Sequence, residues 1–435
     1  MRKYSVYQGI RVGTRLALQE LIPRYEDREM LTWRNAPYAF AYFLPFLFMA
    51  YLVRRANTHR IRMLLVPTVI TVSIHCTYRY KMEDSRCSEW IRILMAYYIV
   101  AKALEFGFVR DGRFKIGEKR LAEVNDPDTR GSSENRTRSA AIYRMIPTSL
   151  LDALEITSAL RGIGWDFGSG AYVPHDNRPR QRGPFLRATL FELVKDFLIV
   201  DLFDSLVKLV PSAGSIEGGS MFLPNVSPLI RYSISTSVLL MGGLIIIFGL
   251  SAGNDFFALI GVGLLDQSPA DWPPLYDSPW RATSLHEFWG KRWHQVLRRT
   301  FIIFGGYPGY LVAGKAGLIL GTFLASGLYH ELGLRLSESD HRVTAFFLLQ
   351  GVGILFEDLW KKISGKRTDG FVGRIWTVFW IIVLGQLCAD AWCMGGIAGA
   401  TFVPRSLSPV RRLLFPAIRT LIQAFAGRNA NQAKA

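Results

Sequence analysis

Acidic residues are scarce in this chain. Its 35 Asp and Glu face 52 Lys and Arg, a formal net charge of +17 over 435 residues. Cysteine is rarer still. Cys76, Cys87, Cys388 and Cys393 form no spaced framework and no paired C-x-x-C, so neither a disulfide scaffold nor a thiolate metal signature is present. Half of the residues are hydrophobic and 13% are aromatic, which excludes disorder and a fibrous repeat. No internal repeat stands out, whereas a transporter built from inverted repeats would show matched halves. Missing too are a G-x-S-x-G elbow and a G-x-x-x-x-G-K-[ST] loop, so a serine hydrolase or phosphate-loop enzyme has no support. The seven histidines are not clustered. His286-Glu287 and His330-Glu331 each lack a second histidine four residues on, and His286 and His294 are too far apart for one helical turn. No metal site is expected. The first 35 residues carry charges throughout and no apolar h-region, so insertion is expected to begin with an uncleaved anchor.

Long uncharged runs are plentiful. Ala36–Val53 has 18 residues without a charge and Tyr232–Gly253 has 22. At ~1.5 Å per residue the first would be ~27 Å long, close to the hydrocarbon thickness of a bilayer. Tyr, Phe and Trp crowd the run ends, as interfacial belts do. Of the partners that suit a basic chain, nucleic acid is therefore set aside in favour of a membrane surface or an anionic substrate. Further candidate spans are Met63–Tyr78, Trp90–Phe108, Ala188–Val210, Tyr310–Tyr329, Val343–Trp360 and Ile375–Trp392. The expected fold is all-α, a polytopic membrane helical bundle of about seven to ten membrane helices. Residues 1–435 read as one integral-membrane domain with a mobile cytosolic loop near 110–187, most polar over 111–140.

Basic residues orient the bundle. Segment 54–62 holds Arg54, Arg55, Arg60 and Arg62 and no acid. Segment 110–187 has 14 basic and 10 acidic residues. Both are expected on the cytosolic side, with 281–299 and 361–374. Segment 211–230, whose only charge is Glu217, would lie on the far side with the N-terminus. The sequon at Asn225 would then be open to glycosylation, and the one at Asn135 would stay bare. Ala188–Val210 is unlike a plain span. It carries Glu192, Lys195, Asp196, Asp201, Asp204 and Lys208, so it would either pair its charges inside the bundle or lie in the interface.

Two segments carry candidate chemistry. Ser284–Gln295 packs Phe288, Trp289, Trp293, His286, His294, Lys291 and Arg292 together. On a helix, Trp289 and Trp293 would share a face. Lys291, Arg292, Arg298 and Arg299 could hold the phosphates of an anionic ligand, or simply anchor an interfacial helix. The second segment, Ala325-Ser326-Gly327-Leu328-Tyr329-His330-Glu331, places a histidine at the end of the charge-free run Ala316–Tyr329. An ionisable group at membrane depth is a functional candidate, though a neighbouring helix could equally satisfy a structural histidine.

In this order, these two segments resemble the membrane-bound O-acyltransferase superfamily, and within it the fungal wax synthase-like branch. That branch carries S-x-x-x-F-W-G-x-R-W-H and then S-G-x-x-H, which stand here as Ser284–His294 and Ser326–His330. Arg161-Gly162-Ile163-Gly164-Trp165 resembles its upstream R-G-x-G-W stretch. Many superfamily members have Asn where this chain has His294. The resemblance implies transfer of an acyl group, acetyl first, from acyl-CoA to a hydroxyl of a hydrophobic secondary metabolite such as a terpenoid or meroterpenoid. It implies an endoplasmic-reticulum membrane and His330 as general base, with His294 orienting substrate or donating to the oxyanion. Trp289 and Trp293 would line the chamber. Acyl-CoA is then a donor substrate, and no permanently bound cofactor or metal is implied. Long-chain wax-ester or sterol-ester synthesis is the alternative within this class. A transporter or other non-catalytic membrane protein is the alternative outside it.

Overall fold

The longest helix begins where the sequence offers a cap. Ser227 Oγ accepts the Ile230 N–H at 3.5 Å and Pro228 takes the first helical position, where its missing N–H is no loss. A computed structural model describes residues 6–82, 86–118, 147–168, 170–334 and 340–432. Its helices are α1 (Val6–Leu21), α2 (Ala36–Ala39), α3 (Phe43–Val53), α4 (His59–Arg79), α5 (Arg86–Phe108), α6 (Thr148–Ser158), α7 (Arg182–Val207) and α8 (Pro228–Gly263). Then follow α9 (Leu285–Glu287), α10 (Arg298–Phe301), α11 (Tyr307–Glu331), α12 (Arg342–Ser364), α13 (Gly370–Ile382), α14 (Gly385–Met394) and α15 (Phe415–Gln432). Among the described residues the only sheet is a two-residue parallel pairing, β1 (Glu29–Met30) with β2 (Tyr80–Lys81). The fold is a helical membrane bundle.

Five described helical stretches are long and apolar enough to cross a membrane: His59–Arg79, Pro228–Gly263, Arg298–Glu331, Arg342–Ser364 and Gly370–Met394. Three expected spans fall outside this set. Ala36–Val53 breaks between α2 and α3, leaving 11 residues in Phe43–Val53. Helices α5 and α7 are long enough but charged. In α7 the charges turn inward: Asp196, Asp201 and Asp204 are buried. Asp201 accepts the Val410 N–H at 2.9 Å, while Asp204 pairs with Lys208 and Arg411. These aspartates are paired within the protein, while Leu190, Phe191, Val194 and Leu198 stay exposed, and the helix anchors the start of the C-terminal segment.

The stretch Arg298–Glu331 is not one straight span, as Tyr310–Tyr329 was expected to be. The chain leaves helical geometry at Ala313 and at Gly314, whose φ is +55°, and folds back on itself. A Cβ on Gly309 would stand 2.1 Å from the Gly317 carbonyl oxygen, and one on Gly305 would stand 2.0 Å from that of Gly321. Only hydrogen at these positions lets the two arms approach so closely. Lys315, just past the turn, pairs with Asp358 of α12 at 2.8 Å. The open end of this hairpin brings Phe301 against Tyr329 and His330, at ring separations of 5.5 and 6.0 Å.

The loop expected near 110–187 is structured where it is described; residues 119–146, including Asn135, lie outside the described residues. Arg54 makes a two-pronged ion pair with Glu118 at 2.7 and 2.8 Å. In α6, Ala153 and Ile156 join the core of Phe46, Met49 and Phe106. Nor is 281–299 a single surface loop. Thr283 Oγ1 donates to Asp369 at 2.8 Å, whereas Arg299 reaches Glu105 at 3.1 Å.

Candidate active site

The segment Ser284–His294 is built by reciprocal capping. Ser284 Oγ accepts the Glu287 N–H at 3.0 Å, and Glu287 Oε2 accepts the Thr283 N–H at 2.8 Å. Glu357 of α12 completes the helix start. Its carboxylate accepts N–H groups of Leu285 at 2.6 Å, His286 at 3.0 Å and the Trp376 indole at 3.0 Å. The chain then makes one π-helical turn over Phe288–Arg292 and becomes extended at Trp293. The expected uninterrupted α-helix is thus absent, yet Trp289 and Trp293 still touch edge to face at 5.9 Å.

Trp289 is the hub of the aromatic wall. It meets Phe323 at 5.8 Å, Phe347 at 5.9 Å and Phe346 at 6.4 Å, and its indole N–H donates to Gln350 Oε1 at 3.2 Å. Phe347 in turn stacks on His330 at 4.8 Å with 22° between the rings. His294 packs against Trp293 at 5.6 Å and edge-on to Tyr276 at 5.7 Å.

His330 has a defined tautomer. Its Nδ1 is 2.7 Å from the backbone oxygen of Ser326, one turn back in α11. A carbonyl can only accept, so Nδ1 carries the proton and Nε2 keeps a free lone pair. The Ser326 hydroxyl sits at 3.5 Å from the same nitrogen. Neighbours hold the adjacent backbone and ring: Trp90 Nε1 donates to the His330 carbonyl at 3.3 Å, and the Tyr329 hydroxyl donates to the Leu94 carbonyl at 2.7 Å. His294 Nδ1 is buried and has no hydrogen-bond partner among the described residues. Burial, then the proximity of His330 and Arg161, pushes its pKa down to about 3, so its ring is neutral at ordinary pH.

The four candidate cations do not form one patch. Lys291 is exposed, above the Tyr172 ring at 5.9 Å, and Arg298 is exposed. Arg292 is held by Glu287 Oε1 at 2.7 Å and the Asp277 carbonyl at 2.9 Å. Arg299 is bound to Glu105 and to the Phe167 carbonyl at 2.9 Å. Arg161, in the upstream fragment, donates to the carbonyls of Pro273 at 2.6 Å and Pro274 at 2.8 Å. His341 is exposed and pairs with Glu331 at 2.7 Å. Asn225 is exposed in a turn with φ of 62°, but Ser227 of its sequon caps α8. Sequence reasoning missed Glu357, Gln350, Phe347 and Tyr276. Only Glu357 left a signal, as an acid inside an apolar run.

Residues 272–349 match the profile of the Membrane bound O-acyl transferase family. The match contains both histidines and the aromatic wall around Trp289. Over this stretch, 78 of its 435 residues, the chain is similar to the membrane-bound O-acyltransferase family. A protein named O-Mevalon transferase yanI, from Aspergillus niger, is 27% identical over 297 residues, 57% of this chain and 63% of the relative. O-Mevalon transferase macI from Penicillium terrestre is 28% identical over 311 residues, 61% of this chain and 66% of the relative. Acetyltransferase eriL from Hericium erinaceus is 25% identical over 273 residues, 58% of this chain and 69% of the relative. The matched stretch thus covers slightly less than two thirds of the first two. The five apolar helices, together with this match, make the chain an integral membrane protein.

Proposed function

We propose that the chain transfers an acyl group, acetyl first, from acyl-CoA to the hydroxyl of a hydrophobic terpenoid or meroterpenoid. The observation that carries this reading is the Nδ1–H tautomer of His330 beside an aromatic wall. Nε2 takes the proton of the acceptor hydroxyl as its oxygen attacks the thioester carbonyl. The tetrahedral intermediate collapses, the carbon–sulfur bond breaks, and the proton passes from His330 to the leaving thiolate. Neutral His294 orients the acceptor or donates to the developing oxyanion. Trp289 and Trp293 line the chamber, and the thioester is reactive enough that no acyl-enzyme is needed. Lys291, Arg292, Arg298 and Arg299 are the proposed contacts to the anionic donor, with Lys291 and Arg298 the better placed because neither is in an ion pair among the described residues. The setting is the endoplasmic reticulum, with 54–62 and 110–187 facing the cytosol and Asn225 open to glycosylation on the far side.

A second reading rests on the relatives. Two carry the name O-Mevalon transferase, which favours transfer of a mevalon unit in place of acetyl. Purified protein incubated with acetyl-CoA, longer acyl-CoAs or a mevalonyl thioester, and a panel of terpenoid alcohols, separates the two. Ester and free thiol should appear in equal amounts with one donor class. Absence of ester with every donor contradicts both.

A further inference from the structure

Glu105 is the centre of an ionic cluster that includes Arg299, one of the proposed donor contacts, and is otherwise outside the proposed transfer step. Its Oε2 accepts from Lys102 Nζ at 2.9 Å. Its Oε1 accepts from Arg113 Nη2 at 2.9 Å and from Arg299 Nε and Nη2 at 3.1 Å each. The same three cations face the Phe167 ring, Lys102 at 4.8 Å and both arginines at 5.5 Å. One further carboxylate is in reach, Asp166, 3.9 Å from Arg113. Arg62 adds a fourth cation: it is buried, lies within electrostatic reach of Arg113, and bonds to the Thr58 hydroxyl and the carbonyls of Phe106 and Arg110. The neighbouring pairs Arg54–Glu118 and Lys115–Glu155 are balanced within themselves. Among the described residues, four cations against two carboxylates leave 4 − 2 = +2.

An excess of that size, left unbalanced by the described residues, is costly where the groups are buried. The cluster is not sealed, however. Side-chain exposure rises from 3% at Lys102 through 16% at Arg113 to 32% at Arg299 and 40% at Asp166. A monoanion would cancel half of the excess, and a dianion cancels all of it. Two guanidinium forks and an ammonium with donors to spare match phosphate oxygens.

We propose that Lys102, Arg113 and Arg299 form a binding site for a phosphate-ester dianion, entered beside Arg299. Arg299 lies two residues before Phe301, whose ring touches His330, so a ligand held there sits at the open end of the hairpin that carries the base. Assigning the anion to the nucleotide end of the donor rests on the acyl-transfer reading; the site itself does not. An anionic lipid headgroup presents the same chemistry.

The test is thermal unfolding of the purified full chain in neutral detergent, titrated with adenosine 3′,5′-bisphosphate or adenosine, and with phosphatidic acid or phosphatidylcholine. A phosphate-bearing member should raise Tm and its neutral counterpart should not, with the effect fading as salt rises. Arg299→Gln should weaken that member's apparent affinity roughly tenfold or more, the worth of a charged hydrogen bond. Asp166→Asn, which removes the competing carboxylate from an exposed position, should strengthen it severalfold, a gain that misfolding cannot imitate. A shift with the bisphosphate assigns a soluble donor, and a shift with phosphatidic acid alone assigns a lipid. No shift with either, or equal shifts in wild type and both variants, overturns the proposal. Acyl transfer is measured on the same preparation. Binding without transfer contradicts the transfer reading while leaving the site intact.

Discussion

His294 and His330 differ in what holds them. His330 is oriented by a carbonyl of its own helix, whereas the buried Nδ1 of His294 has no hydrogen-bond partner among the described residues. The sequence marks both as candidates but contains nothing about tautomer, because the Ser326 carbonyl is a backbone group that any residue would supply. The consequence for pH can be worked out for His294. Its folded pKa of about 3 lies below the ordinary 6.5, so below pH 6.5 the unfolded chain takes up a proton that the folded chain refuses. Stability should therefore be level above about pH 6.5 and fall as pH drops from there towards 3. His294→Asn, the residue many superfamily members carry, should flatten that slope. Tm measured between pH 8 and pH 5 in detergent checks it, and equal slopes in both proteins would contradict the burial argument.

At the scale of elements, apolar runs were legible and reversals were not. The run around Tyr310–Tyr329 is long enough for one span, and hydropathy is blind to the turn at Gly314. The spacing Gly305, Gly309, Gly317 and Gly321 is the trace of that turn, since both arms need small residues where they cross. Gly309→Leu should therefore destabilise the fold by about 1–3 kcal/mol or more, the usual range for overpacking, because the clash is with backbone that cannot move aside. The readout is Tm together with yield of monodisperse protein. The start of the aromatic segment depends on another element altogether. Glu357→Gln keeps the volume but offers one carbonyl oxygen to three N–H donors. The rate of acyl transfer should fall about tenfold as the wall shifts, with a smaller change in KM for the donor. An unchanged kcat would mean that α9 is held well enough by its own cap.

Over the whole molecule, composition was enough to read a basic, helical membrane protein, and paired motifs were enough to read the family it resembles. What stayed hidden was the routing of charge. Arg292 and Arg299 look alike in sequence to Lys291 and Arg298, yet they are committed to Glu287 and Glu105. Those acids become partners only once the chain is folded, and Glu105 lies 194 residues away. The same holds for α7, whose aspartates look out of place in a span until the C-terminal segment docks on them. The acyl-transfer mechanism turns on His330. Wild type, His330→Ala and His341→Ala should be reconstituted in liposomes at matched amounts, with donor binding and initial rates of acyl transfer measured together. His330→Ala is predicted to bind donor like wild type and to lose roughly 10²–10⁴ in rate, the usual worth of a general base. His341→Ala, at an exposed hydrogen bond to Glu331, is predicted to stay near the wild-type rate. Near-normal transfer by folded, donor-binding His330→Ala would contradict the mechanism.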